Sequence, residues 1–106
     1  MGVKRIRFAK QLKEEIAKLV LTELKDPRLK GVIITGIELS EDMSLAKVYF
    51  TTLEEGREEE AQGALQHAEG FLRRILLKNL KVKRLPRITF LFDKDLKGME
   101  KIWERL

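Results

Sequence analysis

The stretch REEEAQGALQHAEGFLRRILLKNL, residues 57–80, decides the fold because it carries a strong helical pattern with an interruption near its middle. Apolar residues recur at helical spacing on both sides of that interruption, at Ala61, Ala64, Leu65, Ala68, Phe71, Leu72, Ile75 and Leu76. Glycine costs about 1 kcal/mol relative to alanine inside a helix, so Gly70 predicts a break at Ala68-Glu69-Gly70. The acidic run at residues 58–60 falls in the first turn, where carboxylates complement the helix dipole. The stretch therefore predicts two helices rather than one.

The sequence leaves two interpretations of Gly70 open. In the first, Gly70 is a packing glycine that lets another element of the fold approach the helix. In the second, the break opens the backbone, and a helix that begins just after Gly70 points its free N–H groups and positive dipole end toward a phosphate. Arg73 and Arg74 would then lie in the first turn of that helix, within reach of the same anion.

A helix is also predicted at residues 4–25, near the start of the chain. Apolar side chains recur at helical spacing from Phe8 to Val20, with charged side chains largely on the other side. Asp26-Pro27 is expected to end this helix, because the residue before a proline is pushed out of the α region.

Two strands are predicted between the helical segments, at residues 32–39 and 46–53. The first is rich in β-branched residues, and the second alternates apolar and polar side chains. The first strand is expected to place four side chains on one face: Ile33, Thr35, Ile37 and Leu39. The connection at residues 40–44 is short and polar, which indicates an antiparallel hairpin.

A last strand is predicted at residues 88–92, introduced by Pro86, with Ile88, Phe90 and Phe92 facing one way. Residues 95–106 form a charged tail with weak helical periodicity. The order α-β-β-α-α-β predicts an α+β fold in which a three-stranded sheet packs against helices. We expect one domain over residues 1–106, because two cores would not fit in this length.

The composition removes several classes of function. The chain has no cysteine and one histidine, His67, which excludes a disulfide scaffold, a thiol nucleophile and a histidine-rich metal site. Phosphate-binding glycine motifs are absent. We therefore expect no catalytic residues, no metal and no cofactor, although a small enzyme with His67 as base is the remaining catalytic alternative. No apolar stretch is long enough to span a bilayer and no signal peptide is visible, so we expect a cytoplasmic protein that binds no membrane.

The charge distribution predicts a polyanionic partner. The net charge is +5, and residues 71–87 hold seven basic groups and no acidic one. Residues 1–20 hold six basic groups against two acidic ones, whereas residues 38–60 hold eight acidic groups against two basic ones. Two basic segments that bracket an acidic middle produce a one-sided positive field that attracts phosphate backbones. The alternative is a solvated surface whose charges only keep the protein soluble.

The candidate RNA-contacting residues fall into two groups. One edge would be supplied by Lys4, Arg5, Arg7 and Lys10, and the other by Arg73, Arg74, Lys78, Lys81, Lys83 and Arg84. Arg28, in the turn after the first helix, is a further candidate, although a structural role for that turn is preferred. Phosphate contacts would give affinity, and RNA shape would give specificity.

The sequence resembles the ribosome-binding factor A family over nearly its whole length. The matching segments, whose order and spacing are together specific, are Lys4 with Arg7-Phe8, Lys25-Asp26-Pro27-Arg28-Leu29, Ser40-x-Asp42, Ala46-Lys47-Val48-Tyr49, Ala68-x-Gly70-Phe71-Leu72-Arg73, Leu85-Pro86-x-Ile88-x-Phe90, Asp93 and Gly98-Met99. The resemblance implies a type II KH-like fold in which the alanine-x-glycine kink, here Ala68-Glu69-Gly70, replaces the GxxG loop of other KH domains.

The same resemblance implies a function. It implies binding to the small ribosomal subunit and its rRNA, near the 5′ end and the decoding-side helices, with roles in late maturation, 5′-end processing and cold adaptation. The usual small residue at the middle of the kink is replaced here by Glu69, a carboxylate that repels phosphate. We therefore expect the kink to set the angle of the second helix, while Arg73, Arg74 and residues 81–84 make more of the RNA contact.

An alternative function is also consistent with the sequence. The exposed face of the hairpin, around Lys47, Tyr49 and Thr51, would serve a protein-interaction module that adds a strand or dimerises. Nothing in the sequence requires a dimer, so we expect a monomer, and no small-molecule substrate is indicated.

Overall fold

The computed structural model describes residues 2–94, and within them the predicted α-β-β-α-α-β order is confirmed. The elements are α1 (Val3–Thr22), β1 (Val32–Leu39), β2 (Leu45–Thr52), α2 (Glu58–His67), α3 (Glu69–Leu80) and β3 (Arg87–Phe92). A 3₁₀ turn at Pro27–Leu29 connects α1 to β1. The predicted charged tail, residues 95–106, lies outside the described residues.

The first helix ends earlier than the sequence predicts. Thr22 is its last residue, and the Glu23 N–H donates to the Leu19 carbonyl at the helix end. Asp26 instead caps the following 3₁₀ turn, because its side chain accepts a hydrogen bond from the Arg28 N–H at 2.9 Å. The Asp-Pro pair therefore starts the turn rather than ending α1.

The sheet is mixed, with β2 in the centre. β1 pairs with β2 in the antiparallel sense, and β3 pairs with β2 in the parallel sense. A parallel neighbour requires a long crossover, and α2 and α3 together provide it. The predicted hairpin and the predicted inward row Ile88, Phe90 and Phe92 are both confirmed, since these three residues pair with Ala46, Val48 and Phe50.

The predicted common face of Ile33, Thr35, Ile37 and Leu39 on β1 is wrong in its first half. The register shifts between Ile34 and Gly36, which is a β-bulge, and a bulge changes which side chains face the core. Ile34 pairs with the buried Phe50 before the bulge, and Ile37 pairs with the buried Val48 after it. Ile33 is consequently 44% exposed on the other face of the sheet.

The helices cover one face of the sheet, as predicted. α1 packs on β1, α2 packs along β3, and α3 lies beside α1. The largest fully buried side chains come from every one of these elements except β1: Leu12, Ile16, Val48, Phe50, Leu65, Leu72, Leu76, Ile88 and Phe90. This common core fixes the positions of α1, α3 and the start of β3 relative to one another.

Two glutamines of α2 cover the free edge of β3. Gln62 Nε2 donates to the Phe90 carbonyl at 2.9 Å, and Gln66 Nε2 donates to the Ile88 carbonyl at 3.1 Å. Gln66 Oε1 also accepts from the Phe90 N–H at 3.2 Å. These bonds satisfy backbone groups that an edge strand would otherwise expose. They also bring the C-terminal end of α2, and hence the kink, close to the start of β3.

Candidate nucleic-acid interface

The kink is a one-residue break between α2 and α3. Ala68 ends α2 and precedes α3, with φ −82° and ψ −3°, and the Leu72 N–H donates back to its carbonyl at 2.9 Å. The second helix therefore begins at Glu69 and not after Gly70 as predicted. Arg73 and Arg74 consequently lie in the second turn of α3 rather than in its first.

Gly70 is not a packing glycine. Apart from its chain neighbours and the adjacent helix backbone, a Cβ atom placed on Gly70 would have no atom within 4 Å, and the φ of Gly70 is not in the left-handed region. The interpretation in which Gly70 admits another element is therefore wrong for the part of the chain that the structure describes. The absence of a side chain leaves the surface beside the kink open.

Exposed cations form one row on α1 and a second row on α3. Lys4, Arg7 and Lys10 are exposed at three-residue spacing on α1, and Arg74 and Lys78 are exposed at four-residue spacing on α3. Residues three or four apart lie on the same side of a helix, so each set forms a continuous row.

The two rows lie on the same layer of the molecule. α1 and α3 are neighbours, joined where Asn79 Nδ2 donates to Glu15 Oε1 at 2.8 Å. Because the buried side chains of both helices belong to one hydrophobic core, the exposed cations of both rows lie on the sides of the helices that face away from that core. Neighbouring helix axes are about 8–10 Å apart, a separation that one RNA backbone can cover.

The segment after α3 adds three more exposed cations, Lys81, Lys83 and Arg84. Lys81 caps α3 in the left-handed conformation, with φ 54° and ψ 41°. A non-glycine residue pays a steric cost in that conformation. The segment then leads to the buried Pro86 and the start of β3. The structure thus brings residues 81–84 to the C-terminal end of the α3 row.

Arg73 connects the kink to this segment. Its Nη2 donates to Glu69 Oε2 at 2.8 Å and to the Pro86 carbonyl at 3.0 Å, and its Nη1 donates to the Leu85 carbonyl at 3.4 Å. The Arg73 side chain is 32% exposed and that of Glu69 is 21% exposed. The pair therefore neutralises the Glu69 carboxylate, which removes much of the repulsion that Glu69 would exert on a phosphate.

Arg5 and Arg28 also make contacts within the protein. Arg5 Nη1 donates to the Leu39 carbonyl at 2.8 Å and so ties the start of α1 to the end of β1. Arg28 pairs with Asp26, and its hydrogen bonds hold the pKa of that carboxyl at about 2. Arg57 Nη2 donates to the Pro27 carbonyl, which places the turn that carries Arg28 beside α2. The guanidinium of Arg28 is thus paired within its own turn, unlike the exposed cations of the two rows.

Phe71 is a surface residue that the sequence pattern did not identify. It follows the apolar spacing of the helix, yet it is 40% exposed, and the Arg74 guanidinium carbon lies 5.9 Å from its ring centroid. The fully buried Leu72 and Leu76 define the inner side of α3. Phe71 lies about 100° around the helix from Leu72. A spacing pattern alone cannot identify which flank of an apolar stripe is covered by its neighbours.

The outer face of the sheet carries the residues of the alternative function. Lys47 is exposed, whereas Tyr49 and Thr51 are half-buried. The Tyr49 hydroxyl donates to Glu38, and this bond, together with burial, raises the pKa of Tyr49 to about 12. Nearby, the buried Thr35 hydroxyl donates to Asp93 Oδ2 at 2.7 Å. These residues lie on the side of the sheet opposite the cation rows.

His67, the base of the catalytic alternative, is exposed on α2. Within residues 2–94, no group of three or more histidine, cysteine or acidic side chains is arranged to hold a metal ion. In the same part of the chain, no helix combines the length and the apolar character needed to cross a bilayer.

A profile of the family described as Ribosome-binding factor A matches residues 4–106. The chain belongs to this family. Its similarity to the ribosome-binding factor A of Heliobacterium modesticaldum is 43% identity over 93 residues, which cover 87% of this chain and 77% of that protein. The ribosome-binding factor A of Nitrosospira multiformis is 41% identical over 92 residues, covering 86% of this chain and 73% of that protein.

Two structures of the same family share the fold. The crystal structure of ribosome-binding factor A from Thermus thermophilus matches with a TM-score of 0.76 and 35% identity, covering 83% of this chain and 93% of that one. A homology model of the Thermus thermophilus protein, fitted into a cryo-EM map of a 30S–RbfA complex, matches with a TM-score of 0.68 and 37% identity, covering 79% of this chain and 89% of that one. The KH-like α+β fold with its alanine-x-glycine kink agrees with these matches.

Proposed function

We propose that this protein is a non-enzymatic assembly factor that binds the small (30S) ribosomal subunit through its 16S rRNA. In this proposal it assists late maturation and processing of the rRNA 5′ end, supports growth in the cold, and acts as a monomer in the cytoplasm. Membership of the ribosome-binding factor A family and the 30S complex of the Thermus thermophilus relative support the choice of partner.

The observation that carries the proposal is the shared surface of the two cation rows and residues 81–84. Eight of the predicted contacts are exposed there: Lys4, Arg7, Lys10, Arg74, Lys78, Lys81, Lys83 and Arg84. Exposed lysine side chains bind phosphates as flexible point charges, and arginine side chains bind them bidentately. Such contacts fix the position of a protein on RNA. Arg5 and Arg73 contribute by holding α1 and the 81–84 segment in place, while Arg28 contributes least.

The test of RNA binding is the salt dependence of affinity for purified immature small subunits. Each phosphate contact releases counterions, so log affinity should fall linearly with log salt between about 50 and 200 mM. The double variant Arg74→Gln, Lys78→Gln should flatten that slope by about one unit for each phosphate interaction that it removes.

A matched control removes two exposed lysines away from the rows. Lys25→Gln, Lys30→Gln lowers the net charge by the same amount, but these residues lie near the Pro27–Leu29 turn. This control should leave the slope close to that of the unchanged protein. An equal effect of the two double variants, or an affinity that ignores salt, would contradict the proposed interface.

Maturation is tested separately in cells that lack the protein. Loss should lead to accumulation of small-subunit rRNA with an unprocessed 5′ end, most strongly at low temperature. The control double variant should restore processing, and the Arg74, Lys78 double variant should restore it poorly. Normal 5′ ends without the protein at all temperatures would overturn the maturation role while leaving the binding role intact.

A further inference from the structure

Phe71 differs from the other phenylalanines in its exposure. Phe50 and Phe90 are fully buried, and Phe8 and Phe92 are half-buried against the core, whereas Phe71 is 40% exposed. An aromatic ring presents a flat surface on which a nucleobase of any identity stacks. An exposed aromatic ring within the most basic part of an RNA-binding surface is therefore a candidate base contact.

The surroundings of Phe71 leave room for a ligand. Gly70 precedes it, and within residues 2–94 no atom beyond the adjacent helix backbone lies within 4 Å of where a Cβ on Gly70 would stand. The nearby Glu69 carboxylate is already paired with Arg73 at 2.8 Å, so it does not present an unpaired negative charge to a nucleotide. Arg74 and Lys78 are exposed along the same helix and can hold the phosphates on either side of a bound base.

Arg74 gives the site a second wall. Its guanidinium carbon stands 5.9 Å from the centre of the Phe71 ring. Nucleobases stack on arginine guanidinium planes as well as on aromatic rings, at about 3.5 Å from each, so a base between the two groups needs about 7 Å. The shortfall is about 1 Å. Since Arg74 is an exposed, long side chain, a rotation of its outer bonds supplies that distance without moving the helix.

We propose that Phe71 and Arg74 form a slot that accepts one unpaired base of an RNA strand. Bases inside a duplex are stacked on their neighbours and cannot enter such a slot, whereas a bulged or single-stranded base can. The slot rests on the proposed RNA-binding function and adds a substrate class to it: RNA with an unpaired nucleotide, recognised beside a backbone held by the cation rows.

The test compares the affinities of three RNA hairpins that share one stem. The first carries a single bulged adenine, the second is fully paired, and the third carries an abasic site in place of the bulged adenine. The unchanged protein should bind the bulged hairpin about tenfold more tightly than the other two, as one base–aromatic stack provides. In a hairpin with 2-aminopurine at the bulge, binding should quench its fluorescence through stacking.

Three variants separate stacking from charge and from folding. Phe71→Leu keeps an apolar side chain but removes the aromatic plane, and it should abolish the tenfold preference. Phe71→Tyr restores a ring and should retain the preference. Lys78→Gln removes a neighbouring cation outside the slot, so it should weaken all three hairpins alike.

The outcomes distinguish the slot from the proposed function. If the unchanged protein binds the three hairpins equally and with a steep salt dependence, the RNA-binding function stands and the slot is wrong. The slot is also wrong if Phe71→Leu retains the preference for the bulge. If the unchanged protein binds neither the hairpins nor immature small subunits, both the function and the slot are overturned.

Discussion

Two arginine–carboxylate pairs, one in the turn beside α2 and one at the kink that follows α2, have different consequences. In the turn, Arg28 Nη2 lies 2.6 Å from Asp26 Oδ2, between residues two apart in the chain. At the kink, Arg73 Nη2 lies 2.8 Å from Glu69 Oε2, and the same guanidinium also donates to backbone carbonyls 12 and 13 residues away. The first pair organises one turn, whereas the second joins two separate segments.

Two ion pairs of the same chemistry can thus contribute differently to the stability of the fold. Exposed pairs contribute little, because water already stabilises both charges. A partly buried donor that satisfies carbonyls in another segment matters more, because its removal leaves those carbonyls unpaired. The kink also lies beside the predicted RNA surface. The residues that fix the position of the kink therefore determine where the cations of that surface lie.

The largest effect on stability is expected from Arg73→Met, which keeps a long side chain but removes three hydrogen bonds. The loss of these bonds should lower the free energy of unfolding by about 1–3 kcal/mol, measured by urea denaturation. The rate of amide hydrogen exchange should rise at residues 81–85. Arg74→Met, at the neighbouring exposed position, is the control and should change the stability by less than about 0.5 kcal/mol. Equal effects of the two variants would show that Arg73 is not a structural connection.

A smaller effect, of opposite sign, is expected from Gly70→Ala. In the described part of the chain, no atom beyond the adjacent helix backbone lies within 4 Å of the new Cβ, so the substitution should raise the free energy of unfolding by about 0.4–1 kcal/mol through helix propensity. Gly31→Ala at the other end of the molecule is the matched control. Its φ of +81° disfavours a side chain, so it should destabilise the protein. A destabilised Gly70→Ala would mean that the kink is not open. The readout is the thermal midpoint of each variant.

The smallest effect on stability is expected when low pH breaks the Arg28–Asp26 pair. The hydrogen bonds from Arg28 lower the pKa of Asp26 from 3.8 to about 2. A lowered pKa in the folded state means that the pair stabilises the protein fully above pH 3.8, and that this contribution is lost as the pH falls through 2. An NMR titration of the Asp26 carboxyl should show the low midpoint, and Arg28→Gln should return it toward 3.8. A midpoint that Arg28→Gln leaves unchanged would exclude the pair as its cause.

The sequence alone determined the order of the elements and the presence of a helix break close to Gly70, although the break itself is at Ala68 and Gly70 lies inside α3. Helices and strands of this chain follow local periodicities, and a glycine inside a helical pattern is a local signal. The basic surface was also predictable, because segments 1–20 and 71–87 are basic in the sequence itself. The family resemblance added the KH-like identity of the fold.

The tertiary structure alone decided which side chains are exposed and which make contacts that stabilise the fold. The bulge between Ile34 and Gly36 reverses the face of Ile33, and the position of α3 leaves Phe71 exposed. Arg73 acts as a connection because the packing of α2 on β3 brings the carbonyls of Leu85 and Pro86 within its reach. Periodicity reports only the neighbours of a residue along the chain. The partners of Arg73 and the exposure of Phe71 depend on segments that meet only when the chain has folded.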